Sequence, residues 1–176
     1  MTRSVIGLAY SWPHFAKSRI AGLGLLAALV LSGCSSLGGS FGETAKALPE
    51  PPQLQFVAAD QVLPQARLNF KQRNYGYSAA YYKRALELTP NNEEALVGLA
   101  ASYDRLQRFD LSDRVYAQLL SVDGPSIQYY NNVGYSYMLR GNLVAARSSF
   151  LKAYDIDPKN QTVSNNLELL DAAASG

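Results

Sequence analysis

The chain has 176 residues, of which 16 are Lys or Arg and 14 are Asp or Glu, and it contains one cysteine and one histidine. A serine or cysteine nucleophile usually works with an imidazole or an amine base, and many metal sites use His or Cys ligands. The chain is too poor in these residues to favour either kind of site. We therefore predict a protein that is not an enzyme and that holds neither a cofactor nor a metal.

Residues 1–33 have the layout of an export signal. Three basic residues and no acidic residue accompany an apolar run from Ile20 to Val30. This run of about 11 residues is shorter than the roughly 20 that cross the hydrocarbon core of a bilayer. The segment therefore predicts a cleaved signal peptide rather than a permanent transmembrane helix.

The signal leads into Leu31-Ser32-Gly33-Cys34, which resembles the lipobox of bacterial lipoproteins. The resemblance implies cleavage before Cys34, a diacylglycerol thioether on its sulfur and, in many bacteria, a further acyl chain on its amine. Two or three acyl chains hold a protein at a membrane far more firmly than one. In a Gram-negative cell, Ser35 implies transfer to the outer membrane, facing the periplasm. The alternative is an ordinary secretory signal, with Cys34 as a free thiol or paired with another chain.

Removal of the signal would change the charge balance of the chain. Arg3, Lys17 and Arg19 would be lost, which leaves 13 basic residues against 14 acidic ones. His14 and Trp12, each single in the chain, would be lost with them. The nearly neutral remainder contains no basic run, so we expect no nucleic acid partner.

The segment 34–58 is rich in Ser, Gly and Pro after its cysteine and shows neither a helical nor a strand period. Such a composition is typical of flexible linkers. We predict a lipidated cysteine followed by a flexible tether. The alternative is that the prolines of this segment dock on the folded part of the chain.

From residue 59 onward the same pattern returns every 34 residues. The units are 59–92, 93–126 and 127–160, and the pattern continues into 161–172. This period and pattern resemble the tetratricopeptide repeat (TPR), a pair of antiparallel helices that must stack on neighbours to bury its apolar faces. We predict an all-α solenoid of about three helix-turn-helix repeats with a capping helix over 161–172.

One position in each unit is small and another is large and aromatic. The small residues are Ala66, Ala100 and Gly134, and the large ones are Tyr82, Tyr116 and Phe150. We expect the small residues to let two helices approach closely and the aromatic ones to fill the space between helices. The first unit departs most from the pattern. Asp60 is predicted to cap its first helix, which would place Pro64 in the first turn, where a missing N–H matters least.

Certain positions of the first helix of each TPR unit line a concave groove in this family. Here they hold Leu63, Arg67, Phe70 and Lys71 in unit one, Val97, Ala101, Asp104 and Arg105 in unit two, and Asn131, Tyr135, Met138 and Leu139 in unit three. We predict that this groove binds an extended peptide or a helix of a protein partner. The positions of the chaperone-type carboxylate clamp hold a different set of residues, so we do not expect recognition of an acidic chain terminus.

Three acidic pairs are the remaining candidates for chemistry: Glu93 with Glu94, Asp110 with Asp113, and Asp155 with Asp157. Paired carboxylates can cleave glycans or bind hard cations. Each pair lies at a predicted helix end or turn, where solvated acids are common. We therefore interpret them as surface residues.

Three segments are more particular than the general TPR pattern: 99–106, 108–111 and 131–141. Together with Gly124-Pro125 and Asn165-Asn166-Leu167, they resemble the TadD-like TPR lipoproteins of the tight-adherence (Tad, or Flp) pilus system. The resemblance implies a scaffold for assembly of a pilus or secretion machine, with the secretin channel or other pilus components as partners. The alternative is a general envelope lipoprotein that serves a type IV pilus, as a pilotin does, or outer-membrane protein insertion.

Overall fold

The computed structural model describes residues 49–175. A short 3-10 helix, Leu54–Phe56, precedes seven α-helices in this range. They are α1 (Ala59–Lys71), α2 (Tyr75–Leu88), α3 (Glu93–Arg105), α4 (Phe109–Asp123), α5 (Ile127–Leu139), α6 (Leu143–Ile156) and α7 (Gln161–Ala174). No strand occurs in the described range. The predicted signal peptide, the lipidated Cys34 and the tether up to residue 48 lie outside it.

The helices follow the 34-residue period of the sequence. The helices α1, α3, α5 and α7 begin at residues 59, 93, 127 and 161. Each of α1, α3 and α5 packs against the helix that follows it, α2 against α3, and α6 against α7. The predicted all-α TPR solenoid is therefore confirmed, and its capping helix extends to Ala174 rather than residue 172.

Side-chain caps fix the start of most first helices. Asn92, Ser126 and Asn160 each accept a hydrogen bond from the backbone N–H three residues on, at 2.9, 3.0 and 3.2 Å. The helix α1 differs, because its N-cap is Ala58 and not Asp60 as the sequence predicted. Pro64 consequently lies inside α1 rather than in its first turn, and the helix continues through it.

The core is built by the small and aromatic positions that the sequence singled out. Ala66 and Ala100 are fully buried, and so is Phe150. A Cβ atom at Gly134 would lie 2.6 Å from the Phe150 ring, so only glycine permits this approach of α5 to α6. A second close approach, which the repeat pattern does not indicate, brings the Tyr82 ring of α2 against Gly98 of α3.

Residues 49–58 dock on the first repeat. Pro51 is buried, and Leu54 and Val57 pack against the first-repeat core. Pro49 lies against Gly76, where a Cβ atom would approach the proline ring to 2.7 Å. Residues 49–58 of the predicted flexible tether therefore dock on the folded part of the chain, which is the alternative given above. They cover the first-repeat end of the array.

The helix α7 closes the other end of the array. Val163 and Leu170 are fully buried against the preceding repeat. The exposed residues of α7 include the polar Gln161, Asn165 and Glu168. A mainly polar outer surface is what a solvent-facing terminal helix of a repeat array requires.

Candidate protein-binding groove

The first helices of successive repeats lie next to one another, since α1 contacts α3, α3 contacts α5 and α5 contacts α7. This succession forms the predicted groove surface. Ten of the twelve predicted groove residues are half-buried or exposed: Leu63, Arg67, Lys71, Val97, Ala101, Arg105, Asn131, Tyr135, Met138 and Leu139. They are accessible to a partner, although binding by these residues stays a prediction.

Charged and aromatic side chains connect the first helices across the groove. Arg67 of α1 forms an ion pair with Glu94 of α3 at 2.5 Å. The Arg105 guanidinium lies 5.6 Å from the centroid of the Tyr135 ring and 6.0 Å from that of the Tyr75 ring. Its Nη2 also donates a hydrogen bond to the Tyr135 hydroxyl at 3.4 Å. Cation–π and hydrogen-bonding contacts thus hold Arg105 and Tyr135 together, as components of one surface.

The surface becomes apolar toward the C-terminal end of the array. Leu139 and Leu169 are 36% and 46% exposed, and the half-buried Met138 lies on the same helix as Leu139. Leu169 of α7 occupies the position that Tyr135 occupies one repeat earlier. Asn166 of α7 donates to the Asn131 side chain at 2.8 Å, which joins the capping helix to the groove surface.

The prediction that Phe70 lines the groove is wrong. Phe70 is only 6% exposed. Its ring packs edge-on against Tyr75, with the ring centroids 5.2 Å apart. The side chain therefore stabilises the turn between α1 and α2 and offers almost no surface to a partner.

The prediction for Asp104 is also wrong, because this carboxylate is buried with 4% exposure. Its Oδ2 accepts a hydrogen bond from the Tyr116 hydroxyl at 2.9 Å. Its Oδ1 accepts one from the Ser136 hydroxyl at 2.7 Å. Tyr116 belongs to α4 and Ser136 to α5, so Asp104 links the second repeat to the third.

Arg140 extends this polar cluster to the surface. It donates to both carboxylate oxygens of Asp113 at 3.0 and 2.8 Å, and to the Ser136 hydroxyl at 2.8 Å. Its guanidinium also lies 4.6 Å from the centroid of the Phe109 ring. Bidentate arginine–carboxylate pairs combine energy with fixed geometry. The cluster therefore sets how the second and third repeats meet.

Burial dominates the electrostatics of the cluster. Desolvation raises the pKa of Asp104, and hydrogen bonds from Ser112, Ser136 and Tyr116 and the charge of Arg140 oppose that rise. The pKa of Tyr116 is raised well above its usual value by burial and by the neighbouring Asp104 charge. Both effects favour the protonated forms, as expected for polar groups withdrawn from water.

The acidic pairs that the sequence offered as candidates for chemistry are engaged elsewhere or exposed. Glu94 pairs with Arg67, and Asp113 pairs with Arg140. Asp110 is 63% exposed at its side chain and lies 3.9 Å from Arg108. Residues 49–175 contain no group of three or more metal-ligating side chains. Within the same residues, no helix is both long and apolar enough to span a bilayer.

Curated proteins with tetratricopeptide repeats resemble part of the chain. Small glutamine-rich tetratricopeptide repeat-containing protein 2 of Mycosarcoma maydis is 22% identical over 117 residues, which is 66% of this chain and 33% of that protein. DnaJ homolog subfamily C member 7 of Mus musculus is 26% identical over 102 residues, or 58% of this chain and 21% of that protein. The chain thus matches a third or less of each relative.

Solved structures share the fold at low sequence identity. The first TPR domain of human RPAP3 has a TM-score of 0.58 at 18% identity and covers 71% of this chain and 95% of that domain. The Yersinia enterocolitica type III secretion chaperone SycD, in complex with a peptide of the translocator YopD, has a TM-score of 0.54 at 16% identity. That match covers 65% of this chain and 93% of SycD.

The TPR family model matches residues 63–112 and 100–161. These matches together span 63–161, which is more than half of the chain. They agree with the paired helices, the 34-residue period and the surface formed by the first helices. The chain belongs to the tetratricopeptide repeat family.

Proposed function

We propose that this chain is a lipid-anchored TPR adaptor of the cell envelope, which binds protein partners during assembly of a Tad/Flp-type pilus or secretion machine. The observation that carries the adaptor role is the accessible surface formed by α1, α3, α5 and α7. It combines Arg67 and Arg105 with Tyr135 and an apolar end at Met138 and Leu139. Arginine and aromatic side chains contribute most to affinity at protein interfaces.

The row of first helices favours an extended peptide or a helix as ligand. Such ligands use a row of side chains to occupy successive sites along a groove. The SycD structure contains a translocator peptide, and another TPR domain of the same fold, from RPAP3, contains an HSP90 peptide. By analogy, protein segments are the class of ligand that we propose for this chain.

The envelope location and the pilus assignment rest on the sequence. The segment up to Cys34 resembles a lipoprotein signal, and three segments of the repeats resemble the TadD-like proteins. Partners proposed on this basis are the secretin and other pilus components. Affinity capture from solubilised envelope, with the tagged full chain as bait, tests the assignment. Enrichment of secretin or pilus proteins supports it, whereas enrichment of a type IV pilus or protein-insertion complex rejects it.

Changing Leu139 to aspartate should weaken partner binding about tenfold or more, because a charge at the apolar end of the groove must be desolvated. The measurement is the amount of captured partner, followed by the dissociation constant once the partner is purified. Val144→Asp is the matched control, since Val144 is 84% exposed on α6, outside the groove surface. Equal binding by both variants would contradict use of the groove.

Changing Cys34 to alanine should abolish lipidation and release the chain from the membrane fraction, while the folded part keeps its melting temperature. The reason is that the acyl chains on Cys34 are the proposed attachment to the bilayer, and alanine has no sulfur to carry them. Mass spectrometry of the intact chain and membrane flotation are the measurements. Unchanged flotation of the Cys34→Ala chain would contradict the lipid anchor.

A further inference from the structure

The two long edges of the repeat array differ in charge. Each repeat turns between its two helices on one edge, called here the turn edge, which consists of residues 71–76, 105–110 and 139–144. Its charged residues are Lys71, Arg73, Arg105, Arg108, Asp110 and Arg140. Five of these six are basic. The turn edge is therefore net positive.

The opposite edge, called here the loop edge, is where each repeat leads into the next, at residues 87–94, 121–128 and 155–162. Its charged residues are Glu87, Glu93, Glu94, Asp123, Asp155, Asp157 and Lys159. Six of these seven are acidic. An anionic surface would therefore attract the turn edge and repel the loop edge.

Two basic residues supply most of the accessible charge of the turn edge. Lys71 and Arg73 are exposed, and neither forms an ion pair within residues 49–175. Arg140, by contrast, is paired with Asp113, and Arg105 lies over aromatic rings. Lys71 and Arg73 are thus the residues of this edge best placed to meet an external anion.

The docked segment begins at the same edge. Pro49 lies against Gly76, which belongs to the turn edge. Leu54, farther along the segment, lines a cleft with Glu87 near the other end of α2. The segment therefore runs along α2 away from the turn edge, and the chain that precedes Pro49 connects to the scaffold beside Lys71 and Arg73.

The chain between the anchor and this point is short. Cys34 and Pro49 are separated by 15 positions in the sequence. At about 3.3–3.6 Å per residue, that length spans at most roughly 50 Å even when fully extended. A lipid on Cys34, which is part of the function proposed above, would keep the attachment point at the turn edge within about 50 Å of the bilayer.

We propose that the turn edge docks on an anionic lipid surface through Lys71 and Arg73. The scaffold then stands edge-on, with its acidic loop edge directed away from the membrane. One Lys or Arg close to an anionic bilayer favours association about fivefold, so the two residues together favour this orientation about 25-fold. The shortness of the connection to Cys34 makes the contact intramolecular in effect, which raises the local concentration of lipid at this edge.

The test compares the two edges on vesicles. The full chain is produced in a host that lipidates it. A bimane fluorophore is attached to a cysteine introduced by Gln72→Cys at the turn edge or by Asn91→Cys at the loop edge. Vesicles consist of phosphatidylcholine alone or with phosphatidylglycerol as about one lipid in three, which supplies the negative surface potential. Both contain a lipid with a nitroxide headgroup, which quenches the fluorophore on contact.

On anionic vesicles, we expect quenching at residue 72 to exceed quenching at residue 91 about twofold or more. This excess should vanish near 1 M salt, because the Debye length there is only about 3 Å. The paired change Lys71→Glu and Arg73→Glu should remove the excess. Lys83→Glu with Lys159→Glu alters the net charge equally at exposed sites outside the turn edge, so it should retain the excess.

Three outcomes overturn the proposal: equal quenching at the two edges, the same excess on neutral vesicles, or persistence of the excess after Lys71→Glu with Arg73→Glu. Flotation separates this failure from that of the anchor. A chain that floats with both kinds of vesicle but is quenched equally at both edges contradicts only the edge contact. A chain that floats with neither contradicts the lipid anchor as well.

Discussion

Changing Gly134 to leucine should lower the free energy of unfolding by about 3 kcal/mol, because a side chain would be forced into a filled site. A Cβ atom alone would lie 2.6 Å from Cδ1 and 2.7 Å from Cε1 of Phe150. The Phe150 side chain is fully buried, so a shift of its ring would also have to displace neighbouring core residues. The helices α5 and α6 of the third repeat would have to move apart. Urea denaturation followed by circular dichroism measures the loss.

Two variants isolate this effect. Ala117→Leu adds a comparable side chain at an exposed site of α4 and should change stability little. Gly134→Ala is the sharper comparison. Alanine in a helix interior normally stabilises by roughly 0.5–1 kcal/mol relative to glycine, and here it should destabilise instead. Wild-type stability of the leucine variant would contradict the packing of α5 on α6.

Changing Asp104 to leucine should lower the free energy of unfolding by about 2–4 kcal/mol, since the hydroxyls of Tyr116 and Ser136 would lose their common buried acceptor. Asp104→Asn retains one acceptor oxygen and should cost less. Hydrogen exchange should accelerate most in α4 and α5, where the partners lie. An equal acceleration across all repeats would contradict a role for Asp104 in joining the second repeat to the third.

The pH dependence of the Asp104 variants has a defined sign. Burial raises the pKa of Asp104 above 3.8, its value in the unfolded reference. The folded state therefore binds this proton more readily, so the contribution of Asp104 to stability is complete below the unfolded pKa and declines as pH rises through the folded pKa. Wild type should gain stability relative to Asp104→Asn as pH falls from about 7 toward 4. The opposite trend would contradict a desolvated carboxyl.

The sequence predicted the helical register well because the signal is repeated. Gly134 and Phe150 occupy positions where the other units also carry small and aromatic residues, so each unit supports the interpretation of the others. Burial of these residues then follows from the stacking of helices. The contact of Tyr82 with Gly98 was missed, since Gly98 falls outside the positions that the pattern compares.

The groove was predicted less well, because family positions give the direction of a side chain but not its partners. The family positions place Asp104 with Arg105 on the groove surface. A charged residue on a first helix is usually solvated. Only the structure shows that Tyr116 and Ser136, 12 and 32 residues away, meet at its carboxylate. The hydroxyl groups of Tyr116 and Ser136 are the sequence signal for this contact, but no local spacing relates residues that are so far apart in the chain.

The docked segment could not be assigned from its composition. Pro49 and Pro51 occur in a stretch that is also typical of flexible linkers. Whether such a stretch docks depends on the apolar surface that it meets, in this case the first-repeat core beside Leu54 and Val57. That surface exists only after α1 and α2 have paired.

The two ends of the array also limit how copies of the chain can join. A solenoid that leaves an apolar end uncovered can add repeats from a second copy and grow into a filament. Here Leu54 and Val57 cover one end, and α7 presents Gln161, Asn165 and Glu168 at the other. Head-to-tail polymerisation would require removal of the docked segment and desolvation of those polar groups. Both ends of the described array therefore oppose head-to-tail growth, so the groove surface is limited to the first helices α1, α3, α5 and α7.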